Sequence, residues 1–230
     1  MIFRRRKGNH VRPPGEVEDE PAVEEDEEPI SYREQSGPWD ADEREVDPDD
    51  PSTVDLGGLI VIGRPDLELR LQTDPATGAV GAAMLVSNDG AVELRAFAAS
   101  RAGGAWDDIR REIAADASSR GGTATESDGP YGTELRLKVP VKTPEGRNAT
   151  QASRIVGIEG PRWLLRATYL GQAAEVPRPD DPLEEAVRDV VVVRGGMAMA
   201  PRDPIPLRMP HGATPEASDD AAAGDEPNEI

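Results

Sequence analysis

The sequence predicts an α+β fold: an antiparallel sheet of about six or seven strands with two helices packed on one face, flanked by disordered charged tails. Three observations point there. The middle of the chain alternates apolar and polar residues with period two, short turn motifs separate those runs, and two later stretches change to helical spacing.

The alternating runs come first. Leu67, Leu69 and Leu71 alternate with Glu68, Arg70 and Gln72, which is the pattern of a strand with one wet face. Val92 and Leu94 alternate with Glu93 and Arg95, and Leu135, Leu137 and Val139 with Glu134, Arg136 and Lys138. Further strands are expected at 59–63, 80–87, 154–158 and 163–170. Asp74-Pro75 with Thr77-Gly78, Asn88-Asp89-Gly90, Pro144-Glu145-Gly146 and Glu159-Gly160-Pro161 supply turns between neighbours. Connections this short join antiparallel strands.

The first helix is read from Trp106, Ile109, Ile113 and Ala117 on one stripe, with Asp107 and Asp108 in its first turn and Gly121-Gly122 after its end. The second begins at Asp181 as N-cap, followed by Pro182 and a capping-box Glu184, and its stripe is Leu183, Ala186, Val187 and Val190. The β-branched run Val190–Val193 predicts an early end and an extended segment. Beyond it, Pro201, Pro204, Pro206 and Pro210 exclude helix.

Charge divides the chain. Residues 1–12 hold five basic groups and no acid, whereas 13–56 hold eighteen acids against Arg33 and Arg44. The span 57–200 is nearly balanced, and 201–230 is acidic again, for a net charge of −19. Composition therefore assigns 1–50 to a disordered tail, basic then acidic, 51–210 to one domain ending in a proline-rich extended segment, and 211–230 to a second acidic tail. An acidic total of this size argues against general nucleic-acid binding, which is driven by neutralising phosphates. The start of the chain has no apolar stretch behind its charges, no run reaches the length of a membrane span, and there is no cysteine. A cytoplasmic location is the expectation.

Chemistry is sparse. From 57 to 200 there is neither histidine nor cysteine, because His10 and His211 lie in the tails. That removes the usual metal ligands and the side chain best suited to proton transfer near neutral pH. There is no phosphate-cradling glycine loop, no GxSxG elbow and no HExxH pair, so no cofactor or catalytic residue is assigned and an enzyme is disfavoured. Asp47-Pro48-Asp49-Asp50 lacks the glycine and closing glutamate of a calcium loop.

Interaction surfaces are what remain. Arg4, Arg5, Arg6 and Lys7 offer a weak contact to an anionic membrane surface or nucleic acid. Trp39, in Gly37-Pro38-Trp39-Asp40, is a docking residue that sits either on its own domain or in a partner. With all strands in one phase, the wet side of the sheet presents Arg70, Arg95, Arg136, Lys138, Arg154 and Arg166 against Glu68, Glu93 and Glu134. Two descriptions of this face stay open: a ladder of cross-strand ion pairs, or a surface for an acidic partner with the acidic tail as tethered competitor. The leading functional expectation is a non-enzymatic, chaperone-like interaction or adaptor domain. The alternative is a small ligand-binding domain or enzyme using carboxylates and arginines in a pocket between helix and sheet.

The segments DLGGL at 55–59, VELRAFAAS at 92–100, GPYGTELR at 129–136, RIVGIEGPRWLLR at 154–166 and VRDVVVVRGGMAMAPRDPIPLRMP at 187–210, with GPWD at 37–40, resemble the actinobacterial family catalogued as domain of unknown function 3710. The resemblance implies a bacterial, intracellular protein and transfers no catalytic residue. The order of strands and helices is also similar to bacterial secretion-chaperone-like and PsbP-like domains, an analogy of fold alone.

Overall fold

A computed structural model describes residues 31–210. Their elements in order are α1 (Tyr32–Ser36), β1 (Trp39–Asp40), β2 (Thr53–Asp55), β3 (Leu59–Ile62), β4 (Glu68–Thr73), β5 (Val80–Val86), β6 (Gly90–Ala98), α2 (Ala105–Ser119), β7 (Thr123–Gly129), β8 (Gly132–Lys142), β9 (Asn148–Gly160), β10 (Trp163–Gly171), α3 (Gln172–Glu175), α4 (Pro182–Asp189) and β11 (Val191–Val192). Seven strands form an antiparallel sheet in the order β4-β5-β6-β10-β9-β8-β7, and a smaller sheet runs β1-β11-β3-β2. The α+β class and the antiparallel sheet match the sequence pattern.

Where the helices dock differs from the one-sided arrangement. Along β9 and β10, Val156, Ile158, Leu165 and Tyr169 belong to one buried cluster with Leu183, Ala186 and Val187 of α4 and Leu59, Val61 and Val192 of the small sheet. The alternate residues Ile155 and Leu164 belong to a second cluster, with Leu135, Leu137, Trp106 and Ala117. Adjacent strand residues point to opposite faces. The small sheet and α4 therefore cover one face of the large sheet, and α2 lies on the other.

Local chemistry fixes α2. Its N-cap is Gly104 in a left-handed conformation, with no side chain to satisfy the first amides. Glu159 of β9 does so instead, accepting from the amides of Gly104 at 2.9 Å and Trp106 at 2.8 Å. The Trp106 indole donates to the Thr133 carbonyl at 2.6 Å and lies over Gly157, where a Cβ would fall 2.1 Å from the ring. Helix α4 starts as expected, with Asp181 accepting from the Leu183 amide at 3.0 Å and Pro182 in the first turn. It ends at Asp189 and passes into β11, as the β-branched run requires.

The proline-rich segment after β11 is a structural strap. Ile205 donates to Ala96 at 2.9 Å and Arg202 to Ala98 at 2.7 Å, extending β6 beyond its pairing with β5. Further on, Arg208 donates to Leu56 at 2.8 Å, so the strap ties the large sheet to the edge of the small one. Pro204 and Pro206 have no N–H to leave unpaired on the outer side.

Residues 31–50 correct the tail boundary at residue 50. They form α1 and β1, and β1 pairs in parallel with β11 through Trp39 and Asp40. Their charges have specific partners: Arg33, buried, is bonded by Glu43 at 2.6 and 3.0 Å, and Asp40 accepts the Trp163 indole at 2.7 Å. Composition averages over such pairs and so reads the segment as solvated. The expectations for Arg4, Arg5, Arg6, Lys7, His10, residues 1–30 and 211–230 lie outside the described residues.

Candidate functional site

The six basic residues expected on one wet face lie on two. Arg136 of β8 stands opposite Arg154 of β9, which stands opposite Tyr169 of β10, on the face covered by α4. Lys138 shares that side, two residues along. Arg95 of β6 stands opposite Arg166 of β10, and Arg70 of β4 reaches the same side through Met84 and Glu93. Alternation within a strand shows which residues share a face. It does not show how the phases of neighbouring strands combine: the apolar set of β8 faces α2, and that of β6 faces α4.

On the α4 side, Arg154 is an interior ion-pair residue and not a partner-binding surface. Only 3% exposed, it donates to Glu134 at 3.1 Å and to Glu184 of α4, and its guanidinium lies 4.0 Å from the centre of the Tyr169 ring. The Tyr169 hydroxyl donates to the second Glu184 oxygen at 2.9 Å, and Arg136 bonds Glu134 at 3.3 Å. Burial opposes charging Arg154, yet Glu184, Tyr169 and Glu134 outweigh it and its pKa is raised. Tyr169 moves well above its ordinary value, from burial first and the Glu184 charge second. Glu184 thus serves as a clamp between helix and sheet, and the capping-box role expected of it is not taken up.

Trp39 docks on its own chain. Its amide donates to the Val190 carbonyl at 2.9 Å, and Arg44 lies 5.9 Å from its ring centre.

The α2 side is different. Helix α2 packs on β7, β8 and β9, and among the described residues no helix covers β4, β5 and β6 on this face. In the uncovered part, Glu68 closes on Arg70 at 2.7 and 2.9 Å, a pair complete in itself. Glu93 must serve two guanidiniums: Arg95 at 2.8 Å and Arg166 at 3.6 Å, the two arginines standing directly opposite in the ladder. Arg95 also reaches Gln72 at 3.2 Å, while Arg166 rests 5.5 Å from the Phe97 ring centre with its Nε buried and unpartnered. Burial pulls the Arg166 pKa down, Glu93 offsets this in part, and the neighbouring Arg95 charge lowers it further. One positive charge on this face is therefore undercompensated.

Arg166 borders a groove of about 540 Å³ between α2 and strands β8 to β10. Leu137, Val139, Ile155 and Leu170 supply apolar wall, with Thr168, Ser153 and Gln151 as polar edge. The acids on the helical side are already paired, Glu112 with Arg202 at 2.7 Å and Asp116 with Arg120 at 2.5 Å. They leave the Arg166 charge uncancelled. Among the described residues, no group of three or more His, Cys, Asp or Glu is placed to hold a metal ion.

Fold and site together define an α+β protein whose two sheets enclose the core and whose larger sheet, among the described residues, keeps half of one face uncovered. Residues 37–216 match the family described as "Protein of unknown function (DUF3710)", and the chain belongs to that family. Comparison with curated proteins gave no match. No helix among the described residues is long and apolar enough to cross a membrane.

Proposed function

We propose that this protein is a non-enzymatic interaction module, and that the uncovered sheet face around Arg95 and Arg166 binds an acidic, partly apolar polypeptide segment. The observation that carries this is the shared carboxylate: two opposed guanidiniums have Glu93 between them, and Arg166 keeps a buried Nε with no acceptor. A partner carboxylate seated beside them gives the two guanidiniums a second anion to share and offsets their like-charge repulsion. The apolar wall formed by Leu137, Val139 and Leu170 takes the partner's hydrophobic side chains. In this proposal the module works in the cytoplasm of an actinobacterium, supported by the absence of cysteine and by the sequence motifs.

Affinity capture from native lysate with the wild type, an Arg95→Glu/Arg166→Glu variant and a Lys138→Glu control tests the proposal. Acidic proteins recovered by the wild type and the control but lost with the double variant support it. Identical recovery by all three overturns it.

The groove volume also lies in the range of small-molecule sites, which favours a small carboxylate ligand as the second reading. That reading requires a thermal shift with di- and tricarboxylates that disappears in Arg166→Leu.

A further inference from the structure

The two edges of the large sheet are protected very differently. At one end, β7 reads Thr-Ala-Thr-Glu-Ser-Asp-Gly, carries little apolar surface, and is overlain by α2, with Arg110 paired to its Glu126 at 2.9 Å. At the other end, β4 reads Glu-Leu-Arg-Leu-Gln-Thr and, among the described residues, pairs only with β5. It contains no proline and no inward-pointing charge, and its one irregularity lies at Gln72/Thr73, at its far end. Leu67, Leu69 and Leu71 are partly exposed and pack on the edge of the main core. Natural edge strands are normally blunted by charge, proline, a bulge or a cover. In the first part of β4 the charges are Glu68 and Arg70, one of each sign, and among the described residues it has no proline, bulge or cover.

Its sequence is complementary to itself. Two β4 strands related by a twofold axis perpendicular to the sheet run antiparallel and keep corresponding faces on the same side, so only registers whose paired residue numbers sum to an even value are allowed. Pairing 70 with 70 sets arginine against arginine, and pairing 70 with 72 sets Glu68 against Asp74. Pairing 69 with 69 instead places Leu69 on Leu69, Leu67 on Leu71, and Glu68 opposite Arg70 twice over. This register satisfies both faces: leucines meet on the core side, and opposite charges meet on the uncovered side.

We propose that β4 is a homodimerisation edge, and that a second copy of this chain adds to it in the Leu69-on-Leu69 register to give one continuous sheet of fourteen strands, seven from each copy. The symmetry puts the two uncovered faces on the same side, next to one another. A short edge buries a modest area, so the dimer is weak and concentration-dependent, with dissociation on the order of micromolar or weaker. The proposal is independent of what the uncovered face binds, since it rests on edge pairing alone.

Sedimentation equilibrium over a concentration series tests it with the full chain and three variants, Glu68→Arg, Arg70→Glu and the double charge swap. Each single change sets like charges opposite one another twice in the symmetric register, and is expected to weaken dimerisation about tenfold or more. The double swap restores both cross-pairs and is expected to return the dimer. Thermal unfolding confirms that the variants remain folded. A wild type that stays monomeric at high micromolar concentration overturns the proposal, as does a dimer unaffected by the single changes or not recovered by the double swap. A wild type that dimerises in this way but recovers no acidic polypeptide through Arg95 and Arg166 overturns the function proposed above and leaves this proposal standing.

Discussion

Replacing Arg166 by leucine should make the protein more stable and less able to bind. In the native ladder Arg166 faces Arg95 and shares Glu93 with it. Like charges directly opposite cost about 0.2–1 kcal/mol, and a buried donor without an acceptor, here Nε, about 1–3 kcal/mol. Against this, the variant loses a 3.6 Å ion pair with Glu93 of about 0–1 kcal/mol and a stacking contact with Phe97 of about 0.5–1 kcal/mol, part of which leucine replaces by packing. The balance favours the variant by about 1 kcal/mol, or a rise in Tm of about 2–4 °C for a chain of this size. Urea titration should show a higher midpoint with unchanged slope, and affinity for an acidic partner should fall. A variant destabilised by 1 kcal/mol or more would refute the reasoning, because Arg166 would then be stitching the sheet instead of being held ready for a ligand.

Other outcomes follow from the same contacts. Arg154→Met leaves Glu134 and Glu184 facing each other without their shared cation, and should cost about 3–5 kcal/mol in chemical denaturation. Gly157→Ala puts a methyl into the Trp106 ring and should cost about 1–3 kcal/mol, with a change in near-ultraviolet circular dichroism as α2 shifts. The Glu43 carboxyl is held below its ordinary value of 4.5, mainly by the Arg33 hydrogen bonds and against partial burial. Because its folded pKa is depressed, its stabilisation is present above that ordinary value and is lost as pH falls through the lower folded one. The stability difference between wild type and Glu43→Gln should therefore shrink as pH falls below about 4, as read from Tm across that range.

The strands with apolar alternation, β4, β6 and β8, and both long helices were legible because burial on one side leaves a period in the sequence. Strand β7 left none: its Thr-Ala-Thr-Glu-Ser-Asp-Gly holds its place through the ladder to β8 and beneath α2. Glu159 was legible only as a turn residue, since its capping of α2 joins segments far apart in sequence. The same separation hid Asp40 beneath Trp163 and Arg154 between two glutamates. Of the six basic residues expected on one face, Arg70, Arg95 and Arg166 do share a surface. Arg136, Lys138 and Arg154 lie on the opposite one, because the phase of β8 relative to β6 depends on register across β9 and β10 and has no signature within either strand.

An acidic segment seated at Arg95 and Arg166 would lie within reach of Thr168. A photo-crosslinking amino acid placed at Thr168, beside Arg166 on that face, and for comparison at Lys138 on the opposite one, reads whether it does so. Cross-linking in the native cell should join Thr168, but not Lys138, to an acidic polypeptide, and Arg95→Glu/Arg166→Glu should abolish the product. Cross-linking that is absent at Thr168, or that survives the double substitution, would mean that no acidic segment binds at Arg95 and Arg166.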